Sequence, residues 1–133
     1  YDNELYFLPL FTMLKKNPIR EKSYAFALDI VIFSEKLIKK REYVMSKQIL
    51  KSGTSIGANV EEALQGQSKK DFIAKLQISL KEASETKYWL RLIRDSGYAT
   101  HEEVAHLLKQ IDEILPLLTS ILKSSKRSLV ANY

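Results

Sequence analysis

The run His101-Glu102-Glu103-Val104-Ala105-His106 sets two imidazoles beside two carboxylates, the side chains of zinc and acid–base chemistry. A zinc-protease helix needs its histidines four apart, so that both imidazoles reach one metal from one face. Here they are five apart, about 140° round a helix, and they are the only two in the chain. Glu62, Glu82 and Glu85 raise a second metal chemistry, the di-iron bundle, which requires a Glu-x-x-His pair on each of two helices. Glu103 to His106 supplies one such pair and there is no second. No serine has a histidine partner that spacing places beside it, and the Gly-x-x-x-x-Gly-Lys loop that cradles phosphates is missing. The chain has no cysteine, which removes disulfides, thiolate nucleophiles and Cys-type zinc sites. These residues predict no catalytic centre, no metal site and no cofactor. A non-enzymatic protein is expected.

The elements that must position any site are helical. At 133 residues, 45% apolar and 28% charged, the chain has the composition of one soluble domain. Its three prolines and four glycines argue against a turn-rich β protein. An N-terminal arm over 1–16, a four-helix bundle over 17–127 and a tail over 128–133 are expected. Asn17-Pro18 reads as an N-cap with proline at the first helical position. The first helix then carries Phe26, Ile30, Phe33 and Leu37 on one stripe and Tyr24, Leu28, Val31 and Ile38 on another, a wide apolar face. The second runs from about Val44 to Leu64 with Ile49, Gly53, Ile56, Val60 and Ala63 inward, and Gln65-Gly66 reads as a left-handed stop. Ser68 caps a third helix, with Asp71 in capping-box position. Its core stripe is Phe72, Leu76, Ser79, Ala83, Thr86, Leu90 and Ile93, and it stops at Ser96-Gly97. Thr100 caps a fourth, whose broad apolar face is Val104, Leu107, Leu108, Ile111, Leu115, Leu118, Ile121 and Leu122; Pro116 predicts a kink or break near Asp112. Short links favour antiparallel neighbours, so the fold class is all-α, an up-down-up-down four-helix bundle.

Leu5 to Leu14 is the one stretch that could target a membrane, and it is shorter than the about 20 apolar residues of a span. Asp2 and Glu4 precede it where a signal peptide carries positive charge. No membrane association and a cytoplasmic location are expected.

Within the second helix, Ser52 to Ala63 is rich in glycine, hydroxyls and an amide, residues that cost helix stability, up to about 1 kcal/mol for Gly relative to Ala. Such a stretch wants a second backbone close by, or polar groups facing inward. Ser52, Ser55, Asn59 and Glu62 form a polar stripe on that helix, matched on the third helix by Ile78, Glu82, Glu85, Trp89 and Leu92. Ser55, Asn59, Glu62, Glu82, Glu85 and Trp89 are read as a packing or oligomer interface, because small residues let helices approach and large aromatics are enriched at interface cores. The formal net charge is +5. One pole of an antiparallel bundle gathers Lys36, Lys39, Lys40 and Arg41 with Lys47, Lys51, Arg91 and Arg94, diluted by Glu42, Asp95, Glu102 and Glu103. The other gathers Lys15, Lys16, Arg20, Lys22, Lys69, Lys70, Lys123, Lys126 and Arg127. Such clusters grip phosphates, and the first set is the candidate nucleic-acid site.

Asn17-Pro18-Ile19, Ser23 to Ala27, Ser52 to Ala63, Ser68 to Phe72 and Lys81 to Leu90 together carry a resemblance. Over about Asn17 to Lys126 the chain resembles the bacterial four-helix-bundle family that includes the 23S rRNA intervening-sequence proteins. The resemblance implies small bundles that assemble as homopentameric rings. It also implies kinship with the basic accessory protein of diversity-generating retroelements, which associates with a reverse transcriptase and nucleic acid. The family offers no catalytic residues to carry over. The expected function is a self-assembling bundle, pentamer-like, that binds structured RNA or DNA through its basic poles. The alternative is a protein-binding adaptor or scaffold with no nucleic-acid affinity.

Overall fold

In the computed structural model, which describes residues 18–131, four helices follow one another: α1 (Pro18–Lys39), α2 (Tyr43–Leu64), α3 (Lys69–Asp95) and α4 (His101–Ala131). No strand occurs among the described residues. The arm and the Asn17 cap lie outside them. Each helix packs on the next, and α4 closes the circuit by packing on α1.

The caps follow sequence chemistry. Ser68 is extended and its hydroxyl accepts from the Asp71 N–H at 3.1 Å, starting α3; Thr100 Oγ1 accepts from the Glu103 N–H at 3.2 Å, starting α4. Two helices end in paired Schellman bonds. At the end of α3 the Tyr98 N–H reaches Ile93 O and the Gly97 N–H reaches Arg94 O, with Gly97 at φ 80°. At the end of α1 the Glu42 N–H reaches Leu37 O and the Arg41 N–H reaches Ile38 O, with Arg41 at φ 63°. The left-handed stop expected at Gln65-Gly66 is not found: Gln65 is right-handed, and Gly97 is the positive-φ glycine among the described residues. Gly66 is closely packed instead: a Cβ there would lie 3.0 Å from Ala63 O.

The core forms from the inner stripes. All seven residues expected on α3 are buried, as are the five expected on α2. On α4 the inward set also includes Ile114 and Ser125, and the helix runs unbroken through Pro116. Pro116 and Asp112 both lie on the exposed side, where water replaces the N–H that proline lacks. The same helix continues to Ala131, into the stretch expected as a tail.

α1 departs most from expectation. Phe26, Ile30, Phe33 and Leu37 are buried, but the second stripe is not: Tyr24 is 65% exposed, Leu28 51%, Val31 40% and Ile38 45%, with Ile32 beside them at 54%. The wide apolar face is two faces, one on the core and one turned outward. A full circuit of four helices covers only the inner arc of each, and burial of one large apolar side chain is worth about 1.5–3 kcal/mol. The outer face of α1 has that gain still to make.

The glycine-rich stretch sets the spacing of α1 and α2. A Cβ on Gly53 would meet Ile30 Cγ1 and Cγ2 at 2.9 Å, and one on Gly57 would meet the Ser23 carbonyl at 3.3 Å. On its other side α2 is tied to α3 by a buried bond, Ser79 Oγ donating to Ile56 O at 2.9 Å. Contacts between neighbours run in opposite senses along the chain. Arg20 meets Glu61, Ser23 meets Gly57 and Ile30 meets Gly53; Glu62 meets Lys75 and Ile56 meets Ser79. The Gly53→Ala variant is expected to be destabilised in urea unfolding by about 1–3 kcal/mol through overpacking, although Ala is the better helix former by about 1 kcal/mol. A midpoint equal to or above wild type would show that the close approach is not needed.

Candidate functional site

The candidate nucleic-acid residues come from three helix segments that share one end of the bundle. Lys40 Nζ donates to Tyr98 O at 3.3 Å, tying the α1–α2 turn to the α3–α4 turn. Lys36 lines a groove with Glu103 and His106 of α4, so the end of α1 meets the start of α4. Lys36, Lys39, Lys40, Arg41, Lys47, Lys51 and Arg91 are exposed, and Arg94 is partly so. Lys47 and Lys51 lie one turn apart on α2.

The ion pairs lie along the helix seams rather than at this end. Four cations are matched there: Arg20 to Glu61 at 2.8 Å, Lys22 to Glu113 at 2.7 Å, Lys75 to Glu62 at 3.2 Å and Lys87 to Asp112 at 2.7 Å. The Lys22 ammonium donates to Glu113 and thereby holds that carboxyl below its ordinary range. At the candidate site only Arg94 is matched, by Asp95 at 2.9 Å, which lowers the Asp95 carboxyl. Among the described residues Lys39, Arg41, Lys47, Lys51 and Arg91 make no ion pair. Unmatched charge at one end concentrates positive potential there. Glu42, Glu102 and Glu103 moderate it. At the other end Arg20 and Lys22 are paired and Lys69 donates to Ser128 Oγ. Lys70, Lys123, Lys126 and Arg127 are exposed and make no ion pair among the described residues, and Lys15 and Lys16 lie outside the described residues.

A groove of about 190 Å³ between α1 and α4 was not anticipated; Asp29, Ile32, Phe33, Lys36, Glu103, His106 and Leu107 line it. Asp29 Oδ2 accepts from Gln110 Nε2 at 3.0 Å and lies 3.5 Å from His106 Nε2. Glu103 Oε2 and Gln110 Oε1 are buried without a partner. An acidic residue in the middle of an apolar first helix, Asp29, was the available signal. The His106–Asp29 pair orients an imidazole, yet the lining holds no hydroxyl or thiol for it to activate. Among the described residues no group of three or more His, Cys, Asp or Glu side chains could hold a metal ion.

The six residues read as an interface lie along the α2–α3 seam, and most of their polar groups are used close to home. Ser55 Oγ donates to Lys51 O at 2.6 Å and Asn59 Nδ2 to Ser55 O at 2.8 Å, both within α2. Glu62 pairs with Lys75 across the seam. Trp89 is half-buried against the edge of the core; its Nε1 donates to Glu85 Oε2 at 3.2 Å, and its ring meets Tyr88 edge-on with centroids 5.3 Å apart. Glu82 is left without a direct partner among the described residues. Burial, and then the Glu85 carboxylate, raise its carboxyl above the ordinary value, opposed by Lys51 and Lys81.

Residues 15–120 match the model of the family described as 23S rRNA-intervening sequence protein. Among solved structures, a protein of unknown function from the S23 ribosomal protein family of Bacteroides thetaiotaomicron is similar to this chain, at 50% identity and a TM-score of 0.77. The similarity covers 79% of this chain and 98% of that one. No curated protein matches. Among the described residues no helix is long and apolar enough to cross a membrane.

A carboxyl whose folded value is raised favours folding below its unfolded value, and that contribution is lost as pH rises through the folded value. The charged Glu82 therefore weakens the bundle at neutral pH. Glu82→Gln is expected to raise the urea midpoint at pH 7 and to leave it unchanged below about pH 4, where glutamate is largely protonated in both states. An equal shift at both pH values would assign the effect to packing.

Proposed function

This chain belongs to the 23S rRNA-intervening sequence protein family, and from that membership we propose a non-enzymatic bundle that self-assembles and binds structured RNA or DNA through a basic end. The observation that carries the reading is the gathering of cations from three helices, without ion pairs among the described residues save Arg94, at the end where the α1–α2 and α3–α4 turns meet. Phosphates are the ligands such a cluster holds, and each cation engaged releases counterions. The opposed running of the contacts supports the up-down-up-down antiparallel arrangement that brings these segments together. The outward apolar face of α1 supports assembly. A pentamer-like ring would repeat the cluster around an axis and multiply the phosphate contacts, in keeping with the proposed kinship to the retroelement accessory protein. We place it in the cytoplasm.

The same outward face favours one alternative, a protein-binding adaptor or scaffold with no nucleic-acid affinity. The two readings part on salt dependence. Fluorescent structured RNA titrated with the protein at increasing salt is expected to bind at micromolar or tighter concentration, with log affinity falling linearly against log salt. Arg41→Gly makes the sharper probe. It removes a cation from a left-handed position where a non-glycine residue costs about 1–2 kcal/mol. Stability should rise by about 1 kcal/mol while RNA affinity falls and the salt slope flattens. Absence of binding at low salt leaves the adaptor.

A further inference from the structure

Tyr24, Leu28, Val31 and Ile38 follow one another at intervals of four, three and seven residues, the seven spanned by Glu35 at the missing fourth step. That is the heptad seam of a helix prepared to pack on helices, yet on α1 it faces away from the core. Glu35 is exposed, sits within the apolar stripe, and has no ion pair among the described residues. A cover for this face must be helical, must offer apolar edges, and must bring a cation to the Glu35 carboxylate.

A second copy of α1, packed about the middle of the stripe, does not meet the third requirement. About a two-fold axis centred on Val31, each Glu35 would fall opposite Ala27 and Leu28 of the other copy. The α2–α3 seam does meet it. Small Ser55 lies on the α2 side, Ile78 is 41% exposed, and the half-buried Trp89 offers an apolar edge. Lys51 and Lys81 flank Glu82 there and make no ion pair among the described residues. Lys39, at the end of the α1 stripe, would add a cation beside the Glu82 and Glu85 carboxylates, so that Lys39 and Lys51 serve the contact and the remaining basic residues serve phosphate.

We propose that the outward face of α1 in one copy docks on the α2–α3 seam of the next, a head-to-tail contact between two different surfaces of the same chain. It rests on the self-assembly reading and adds which surfaces mate. A head-to-tail contact closes into a ring when its rotation divides the circle.

The absence of cysteine makes a clean test available. Leu28→Cys and Ser55→Cys are introduced into separate chains, co-expressed so that subunits mix, and treated with a short bismaleimide, with native mass measured alongside. Each variant alone should stay uncross-linked while the mixture gives covalent dimers within an oligomer. Val31→Glu, at an exposed position, should lower the native mass and keep full helicity. Cross-linking of Leu28→Cys to itself overturns the proposal in favour of a two-fold contact. Wild-type oligomers with no cross-link overturn the choice of surfaces while self-assembly stands. A wild-type monomer at every concentration overturns both.

Discussion

Helix α2 lies close against two neighbours at once, and the rest of the bundle is arranged around that constraint. On one side Gly53 leaves room for the Ile30 side chain and Gly57 for the backbone at Ser23. On the other, Ser79 reaches the Ile56 carbonyl from α3. A side chain at Gly53 would force Ile30 to shift and one at Gly57 would crowd the Ser23 carbonyl, so the close seating of α1 depends on both positions staying small. The helix cost of two glycines and several hydroxyls is met by packing that bulkier residues would prevent. The fit is not complete, for Ser52 Oγ is buried without a partner, and its desolvation is uncompensated.

Because α1 sits so closely on α2 and meets α4 along its other flank, only one arc of it reaches the core. The opposite arc keeps its apolar residues in solvent. A helix apolar on both faces is ordinarily covered on both, so the isolated chain has an unfinished surface. Polar bonds along the α2–α3 seam are made largely within each helix, which leaves that seam's apolar edges and its unpaired lysines for an outside partner. Two unfinished surfaces of different chemistry fit the proposed head-to-tail assembly better than a symmetric pair does.

Charge is distributed by the same geometry. Seams that run the length of the bundle bring carboxylates of one helix beside cations of the next, and Arg20, Lys22, Lys75 and Lys87 are neutralised there. Where the chain turns, basic residues gather from three helices with fewer acids to match them. Arg41 marks the point, a large cation at a backbone position that glycine would occupy with less strain. The proposed grip on phosphate follows from this uneven pairing more than from the modest net charge of +5.

Much of this architecture was legible in the residues. The α3 stripe from Phe72 to Ile93 matched its buried set in full, polar Ser79 and Thr86 included, because regular spacing outranks polarity when the periodic signal is long. The Ser68 and Thr100 caps and the stop at Ser96-Gly97 are local chemistry and were read locally. Gly66 and Arg41 were not, since nearby atoms and hydrogen bonds decide which residue takes a left-handed turn. Pro116 was read from its missing N–H, and the helix carries it because the site faces water. The Asp29–His106 groove joins residues far apart in the chain, which periodicity cannot pair. Sequence by itself determined four helices, the Ser68 and Thr100 caps and the inner stripes, all consequences of near-neighbour spacing. Tertiary structure alone decided that the second stripe of α1 faces outward, because four helices in a circuit can cover only one side of each.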